Sequence, residues 1–264
     1  MKEVKVGCIG CGTMGGAIIK GIAKQLDGKN IFVSNTHYEK TQKFAEENHV
    51  TPCKTNSEVC EKSDVLFIGV KPVYVEKVLG ELNLNGKVVV SMAAGVKLEN
   101  LEKWAKGAKS VIRIMPNIPA IYGEAMTAMC LNKAEDEDVS TVKQLLECCG
   151  KVEIVAEKMM DGVTAISGSG PAYVFMFIEA LADAAVKFGI PRSQAYTYAA
   201  QTVKGSAVMA LEDPRSISEL KDAVCSPSGT TIDAVASLEE NGFRGTVIKG
   251  ATAAFDKSVS MSKK

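Results

Sequence analysis

Residues 6–18, VGCIGCGTMGGAI, superpose two spacings that could each do chemistry. Cys8 and Cys11 form C-x-x-C, the spacing of redox dithiols and of half a zinc ribbon. Gly10, Gly12 and Gly15 form G-x-G-x-x-G, the spacing of a loop that cradles a pyrophosphate. The thiol reading fares poorly. Cys8 falls inside an apolar strand pattern, Cys11 on the variable position of the glycine loop, and there is no second C-x-x-C to complete a zinc site. In the glycine reading each residue has a task. Gly10 permits the tight turn after the strand, Gly12 lets backbone approach the phosphates, and Gly15 lets the following helix pack on the strand. The N–H groups at the start of that helix then face the anion.

A second chemical signal lies near the end of the next strand, in VSNTHYEK. An NAD enzyme is expected to place Asp or Glu there for the ribose hydroxyls. This chain has Ser34, Asn35 and Thr36, whose hydroxyl and amide groups can bond a phosphate without repelling it, and His37 and Lys40 add positive charge. The pattern favours NADP over NAD, with NADH possible. The competing explanation is an ordinary turn and helix start.

The elements that must position these residues alternate. VKVGCIG, NIFVSN, DVLFIGVKP, GKVVVSM and KSVIRIMPNIP read as strands, the third continuously apolar as buried parallel strands are. Helical patterns fall between them, and EAMTAMCLN and KVEIVA read as edge strands around a helix at DEDVSTVKQLLECC. After about residue 158 strand signals vanish. The expected fold class is α/β, with an N-terminal Rossmann-type doubly wound sheet (residues 1–157) and a C-terminal all-helical dimerisation domain (residues 158–264).

Composition narrows the partners. Of 264 residues, 31 are Lys or Arg and 31 are Asp or Glu, so no net charge draws the chain to nucleic acid or an anionic membrane. Lys103, Lys106 and Lys109 read as one solvated helix face. No stretch is expected to approach the length of a membrane span, since the most apolar helix carries Glu179 and Asp183. MKEVKV lacks the features of a signal peptide, and eight scattered cysteines read as reduced thiols, so the expected location is cytoplasmic. Two histidines are few for a His-ligated metal or a Ser-His-Asp site. The expectation is a small-molecule enzyme with no metal.

Further segments follow in order: IGVKP (68–72), VSMAAGV (90–96), RIMPNIP (113–119), SGSGPAYVF (167–175), and LKDAVCSPSGTTIDAVASLEENGFRGTVIKGATAA (220–254). Together they resemble the Δ1-pyrroline-5-carboxylate reductases, which perform the last step of proline biosynthesis, over essentially the whole chain. Where that family usually reads S-P-G-G-T-T, this chain reads Ser226-Pro227-Ser228-Gly229-Thr230-Thr231, so Ser228 stands in place of a glycine.

The resemblance implies that Gly10, Thr13, Met14, Ser34, Asn35, Asn56, Val70, Lys71, Pro72, Ala93 and Ala94 line the cofactor. It implies that Ser226, Gly229, Thr230 and Thr231 receive the substrate 1-pyrroline-5-carboxylate. It also implies a homodimer built by intertwined helical domains, with a decamer as a larger assembly of such dimers. Residue chemistry agrees with this. A loop rich in Ser, Thr and Gly before a helix offers donors to a carboxylate, and Thr231 is the candidate donor to the ring nitrogen, unless it only caps the helix. In SGSGP, Gly168 and Gly170 would allow close backbone approach and Pro171 would start a helix, closing a nicotinamide pocket or merely beginning the helix.

Two rivals remain at this stage. A β-hydroxyacid dehydrogenase shares the domain order, but the helix after its glycine-rich turn is expected to carry a lysine that PAYVFMFIEALADAAVKFG lacks before Lys187. A non-catalytic NADP-binding protein would have no need of the 220–254 segment.

Overall fold

In this computed structural model residues 4–262 are described. The chain divides into two compact units, Met1–Ser169 with Ala254–Lys264, and Gly170–Ala253. Sequence pattern alone puts the division at 157/158. The first unit takes in both residues 158–169 and the end of the last helix, groupings that no local pattern reports.

The first unit is built on an eight-stranded sheet of order β3-β2-β1-β4-β5-β6-β7-β8. Its strands are β1 (Val6–Ile9), β2 (Ile31–Ser34), β3 (Thr51–Pro52), β4 (Val65–Ile68), β5 (Val88–Ser91), β6 (Ser110–Met115), β7 (Ala125–Leu131) and β8 (Gly150–Ile154). All pairings are parallel except β6 with β7. The central strands are buried along their whole length, as a sheet covered on both faces demands. On one face Ile18, Ile19 and Ile22 of α1 (Thr13–Ile22) and Leu145 and Leu146 of α6 (Asp136–Glu147) pack on Val6, Cys8, Val33 and Ile112. On the other, α3 (Asn56–Lys62), α4 (Val75–Gly80) and α5 (Leu98–Trp104) bury Val59, Leu79, Leu98 and Leu101 against Ile9, Leu66, Ile68 and Val89. Helix α2 (Tyr38–Asn48) follows β2. The sheet is doubly wound, and its order reverses between β1's two neighbours, the usual place for a ligand.

The lysine reading is corrected. Helix α5 ends at Trp104 and Gly107 turns the chain at φ +83°, so Lys103, Lys106 and Lys109 share no helix face. Lys109 instead binds Asp138 and Glu135, each at 2.9 Å.

The chain then becomes helical: α7 (Met160–Val163), a π-helical stretch Thr164–Gly168, α8 (Gly170–Lys187), α9 (Arg192–Glu212), α10 (Ile217–Val224), α11 (Thr230–Glu240) and α12 (Phe243–Met261). Glu157–Lys187 is one helical run of 31 residues, long and apolar enough to cross a membrane by length and composition. This corrects the expectation that no stretch approaches that length, which counted only the residues after Pro171. The second unit has a slight core of its own. Its buried cluster is Ala182, Ala195 and Ala199, while Phe175, Met176, Phe188, Tyr198, Leu211 and Ile248 are exposed.

The Lys109 cluster yields a test of the fold. Asp138 is buried, and its Oδ2 accepts the Ser110 hydroxyl at 2.6 Å while Oδ1 accepts Lys109. Asp138→Ala strands a buried hydroxyl, so stability should fall by about 2–3 kcal/mol. A melting curve should drop by roughly 4–12 °C, and an unchanged curve would refute the role given to this bond.

Candidate active site

Strand β1 ends where two glycines crowd the carbonyl of a third. Gly10, at φ +93°, donates its N–H to Ser34 O at 2.9 Å, and Gly69 N–H donates to Ile9 O at 2.8 Å. A Cβ on Gly15 would lie 2.3 Å from Gly10 O, and one on Gly69 2.5 Å from the same atom. Gly12 differs. It is exposed at the N-cap of α1, and a Cβ there would meet nothing within 4 Å. The structure therefore keeps open space in front of the unpaired N–H groups of α1's first turn, where Thr13 is exposed and Met14 half-buried. Open space in front of a helix N-terminus is the kind of place that suits a phosphate group.

The cysteine pair is absorbed into this loop. Cys8 is fully buried and Cys11 nearly so, with Cys11 Sγ 3.9 Å from Cys8 O. The hydrogen bond with Cys8, and then burial, hold the Cys11 thiol well above its usual range, so it is a poor nucleophile. The sequence places Cys11 at a free position; its packing in the core is a finding of the structure.

Beside this open space lies a cleft of about 590 Å³ whose lining includes Gly12, Asn35, Thr36, three lysines (Lys40, Lys43 and Lys71) and one carboxylate, Glu47. Asn35 N–H donates to Thr41 Oγ1 at 3.0 Å, which fixes the turn into α2. Ser34 is buried and its hydroxyl donates to Asn56 Oδ1 at 2.9 Å. Ser34 and Asn56 thus hold each other behind the cleft, while Asn35, Thr36 and the lysines face it. His37 is the N-cap of α2 but makes no side-chain cap bond. Lys43 and Thr41 escaped the sequence reading. Lys43 was findable, one turn beyond Lys40 on the same helix.

The remaining proposed cofactor residues stand at the ends of β4 and β5. Val70 packs partly on the core, Lys71 is exposed, and Pro72 opens a 3₁₀ turn. Ala93 is buried and Ala94 half-buried, in a turn completed by Gly95 at φ +76°. All these positions follow the carboxyl ends of parallel strands. This is the arrangement of a dinucleotide-binding oxidoreductase.

SGSGP is not a turn. It sits within the helical run that starts before α7, the π-helical stretch includes Gly168, and Pro171 is the second residue of α8. A Cβ on Gly168 would make only ordinary contacts and one on Gly170 none, so neither is required by close approach within the chain.

In the second unit Ser226, Gly229, Thr230 and Thr231 do come together. Gly229 N–H donates to Ser226 O at 3.1 Å, and Gly229 is the N-cap of α11. A Cβ on Gly229 would lie 2.3 Å from Ser226 Oγ. Thr231 is the second residue of α11 and is not its N-cap, which is Gly229. Ser228 takes φ +57°, the left-handed conformation a glycine would favour there.

Comparison with known proteins gives the class a family. Residues 5–95 match the family described as NADP oxidoreductase coenzyme F420-dependent, and residues 157–261 the family described as pyrroline-5-carboxylate reductase dimerisation. The chain is 44% identical to the pyrroline-5-carboxylate reductase of Escherichia coli K12 over 99% of both chains, and 41% identical to that of Arabidopsis thaliana over 99% of this chain and 97% of that one. The crystal structure of Plasmodium falciparum pyrroline carboxylate reductase with NADP bound superposes with a TM-score of 0.89, at 34% identity and 99% coverage of both. The chain belongs to the pyrroline-5-carboxylate reductase family.

The glycines give a prediction that separates folding from ligand binding. Gly15→Ala should destabilise the protein, since its Cβ meets backbone. Gly12→Ala should melt like wild type yet bind NADPH at least tenfold more weakly, because its methyl occupies the cradle, at a cost of roughly 1–3 kcal/mol. Calorimetric titration and melting curves check both, and a Gly12→Ala protein with wild-type affinity would remove Gly12 from the site.

Proposed function

We propose that this chain is an NADPH-dependent reductase of 1-pyrroline-5-carboxylate, forming L-proline. The observation that carries the cofactor is the open space at Gly12 beside a cleft where Lys40, Lys43 and Lys71 outnumber the one carboxylate, Glu47, and where Ser34-Asn35-Thr36, not Asp or Glu, stands at the end of β2. When bound, NADPH supplies the hydride; NADH is a poorer alternative because nothing at Asn35–Thr36 suits a free ribose 2′-hydroxyl as Asp or Glu would.

The first turn of α1, with Gly10, Gly12, Thr13, Met14 and Gly15, holds the pyrophosphate. Asn35, with Lys40 and Lys43 near it, holds the 2′-phosphate, and Ser34 and Asn56 brace that turn. Val70, Lys71, Pro72, Ala93 and Ala94 line the rest. Ser226, Gly229 and Thr230 hold the substrate carboxylate through hydroxyl and backbone donors. Thr231 donates its hydroxyl at the ring nitrogen, where the added proton resides in the product. Thr231 lies in the first turn of α11 and is not its N-cap, which is Gly229, so the helix-cap explanation of this residue does not apply. The iminium is already electrophilic, so placement does most of the work and no histidine or metal is needed.

The 157–261 match and the apolar surface of the second unit support a homodimer, with a decamer as its larger assembly. We assign the enzyme to the cytoplasm. The rival β-hydroxyacid dehydrogenase reading lacks its lysine, and the non-catalytic reading leaves 220–254 without a task.

Turnover of 1-pyrroline-5-carboxylate with NADPH tests the proposal directly. Within that assay Thr231→Ala should lower kcat/KM by roughly 10- to 100-fold, about 1.5–3 kcal/mol of hydrogen bonding, with NADPH affinity nearly unchanged. Thr231→Ser should recover much of the loss. Wild-type kinetics in the alanine variant would remove Thr231 from the site.

A further inference from the structure

The turn after β5 runs Ala93-Ala94-Gly95-Val96-Lys97 into α5. The N-cap of that helix, Lys97, supplies no side-chain bond. The first helical N–H, at Leu98, donates instead to Glu157 Oε1 at 2.6 Å, from a residue 59 positions away. The same oxygen accepts Arg113 Nη1 at 2.9 Å. Arg113 is 3% exposed and rises from β6 directly opposite Ser91, the last residue of β5, and its Nε has no partner among the described residues. Its geometry spends the buried charge on one oxygen.

The far side of the turn is held from the same stretch of chain. A Cβ on Gly95 would lie 3.3 Å from Met261 Cβ, so the last turn of α12 packs against this glycine. That end of α12 is fastened by Asp161 Oδ1, which accepts Ser258 Oγ at 2.6 Å and Ser262 Oγ at 3.2 Å. Glu157 and Asp161 are therefore two anchors, one turn of helix apart, for the two sides of Ala93–Val96.

We infer that Glu157 is a positioning residue for cofactor binding: its carboxylate, fixed by Arg113, caps α5 and so sets where the backbone of Ala93 and Ala94 stands. This rests on the reading that those two alanines line the cofactor. A carboxylate that only neutralised Arg113 would have no need to reach Leu98, and its removal would show in stability alone.

Two variants separate the roles. Glu157→Asp keeps the charge beside Arg113 but withdraws the oxygen by one methylene from Leu98 N–H. Arg113→Met/Glu157→Leu removes the buried guanidinium together with its half-buried carboxylate, so no unpaired buried charge is left and the stability loss is limited to the α5 cap. Each is measured for melting temperature, NADPH affinity by calorimetry, and the separate KM values and kcat.

Glu157→Asp should raise both the NADPH Kd and the NADPH KM by roughly 5- to 20-fold, as loosening a hydrogen-bonded contact does. Its kcat at saturating cofactor and its KM for pyrroline-5-carboxylate should stay within about twofold of wild type. The double variant should regain most of its melting temperature but not its NADPH affinity. Wild-type NADPH affinity in either variant would overturn the inference. Wild-type protein that failed to bind NADPH would instead sink the cofactor reading beneath it, and it is titrated in the same series. Should one variant fail to fold, the other still decides.

Discussion

The carbonyl of Gly10 is the point on which this site depends. Strand β1 must end beside β4, and α1 must return over it, with Gly15 and Gly69 both so near that carbonyl that neither tolerates a Cβ. The positive φ of Gly10 turns the chain there, and the bond from Gly10 N–H to Ser34 O ties the end of β2 to the same spot. With β1, β2 and β4 pinned together, three separate stretches reach the ligand's expected path. They are the first turn of α1, the Ser34–Lys43 turn and the Val70–Pro72 corner. The side chains there contribute charge and shape. The backbone contributes the place.

A second constraint concerns what the chain leaves uncovered. The sheet unit buries long rows of Ile, Val and Leu on both faces, whereas the helical unit's own buried cluster is three alanines. Phe175, Met176, Phe188 and Leu211 remain exposed, and a surface this apolar is stable in water only when something covers it. Membership of a family with a dimerisation region over 157–261 gives that surface its purpose. The same consideration explains why a 31-residue apolar helix need not be a membrane segment here.

Much of this was legible in the sequence because it is local. G-x-G-x-x-G announces itself within six residues, and the Ser34-Asn35-Thr36 at the end of β2, where an NAD enzyme would carry Asp or Glu, is visible at a glance. The strand-helix alternation follows from periodicity, and Ser228 stands out against a glycine pattern. What stayed hidden depends on contacts between distant residues. Nothing near Lys109 foretells Asp138, so a paired lysine passed for part of a solvated helix face. Nothing near Leu98 foretells Glu157. SGSGP reads as a break before a long helix because Gly and Ser are weak helix formers, yet the chain stays helical through Gly168 by widening to a π-helical stretch. Cys11 looked variable because its burial is decided by the core beneath it.

The claim that backbone crowding at Gly10 builds the cofactor site is tested most directly by Gly69→Ala, a residue with no side chain and no proposed contact with substrate. Its added methyl must push against Gly10 O, a strain of roughly 1–3 kcal/mol. Calorimetric titration with NADPH should show at least a fivefold weaker Kd together with a lowered melting temperature. A Gly69→Ala protein that binds NADPH and melts as wild type does would contradict the account.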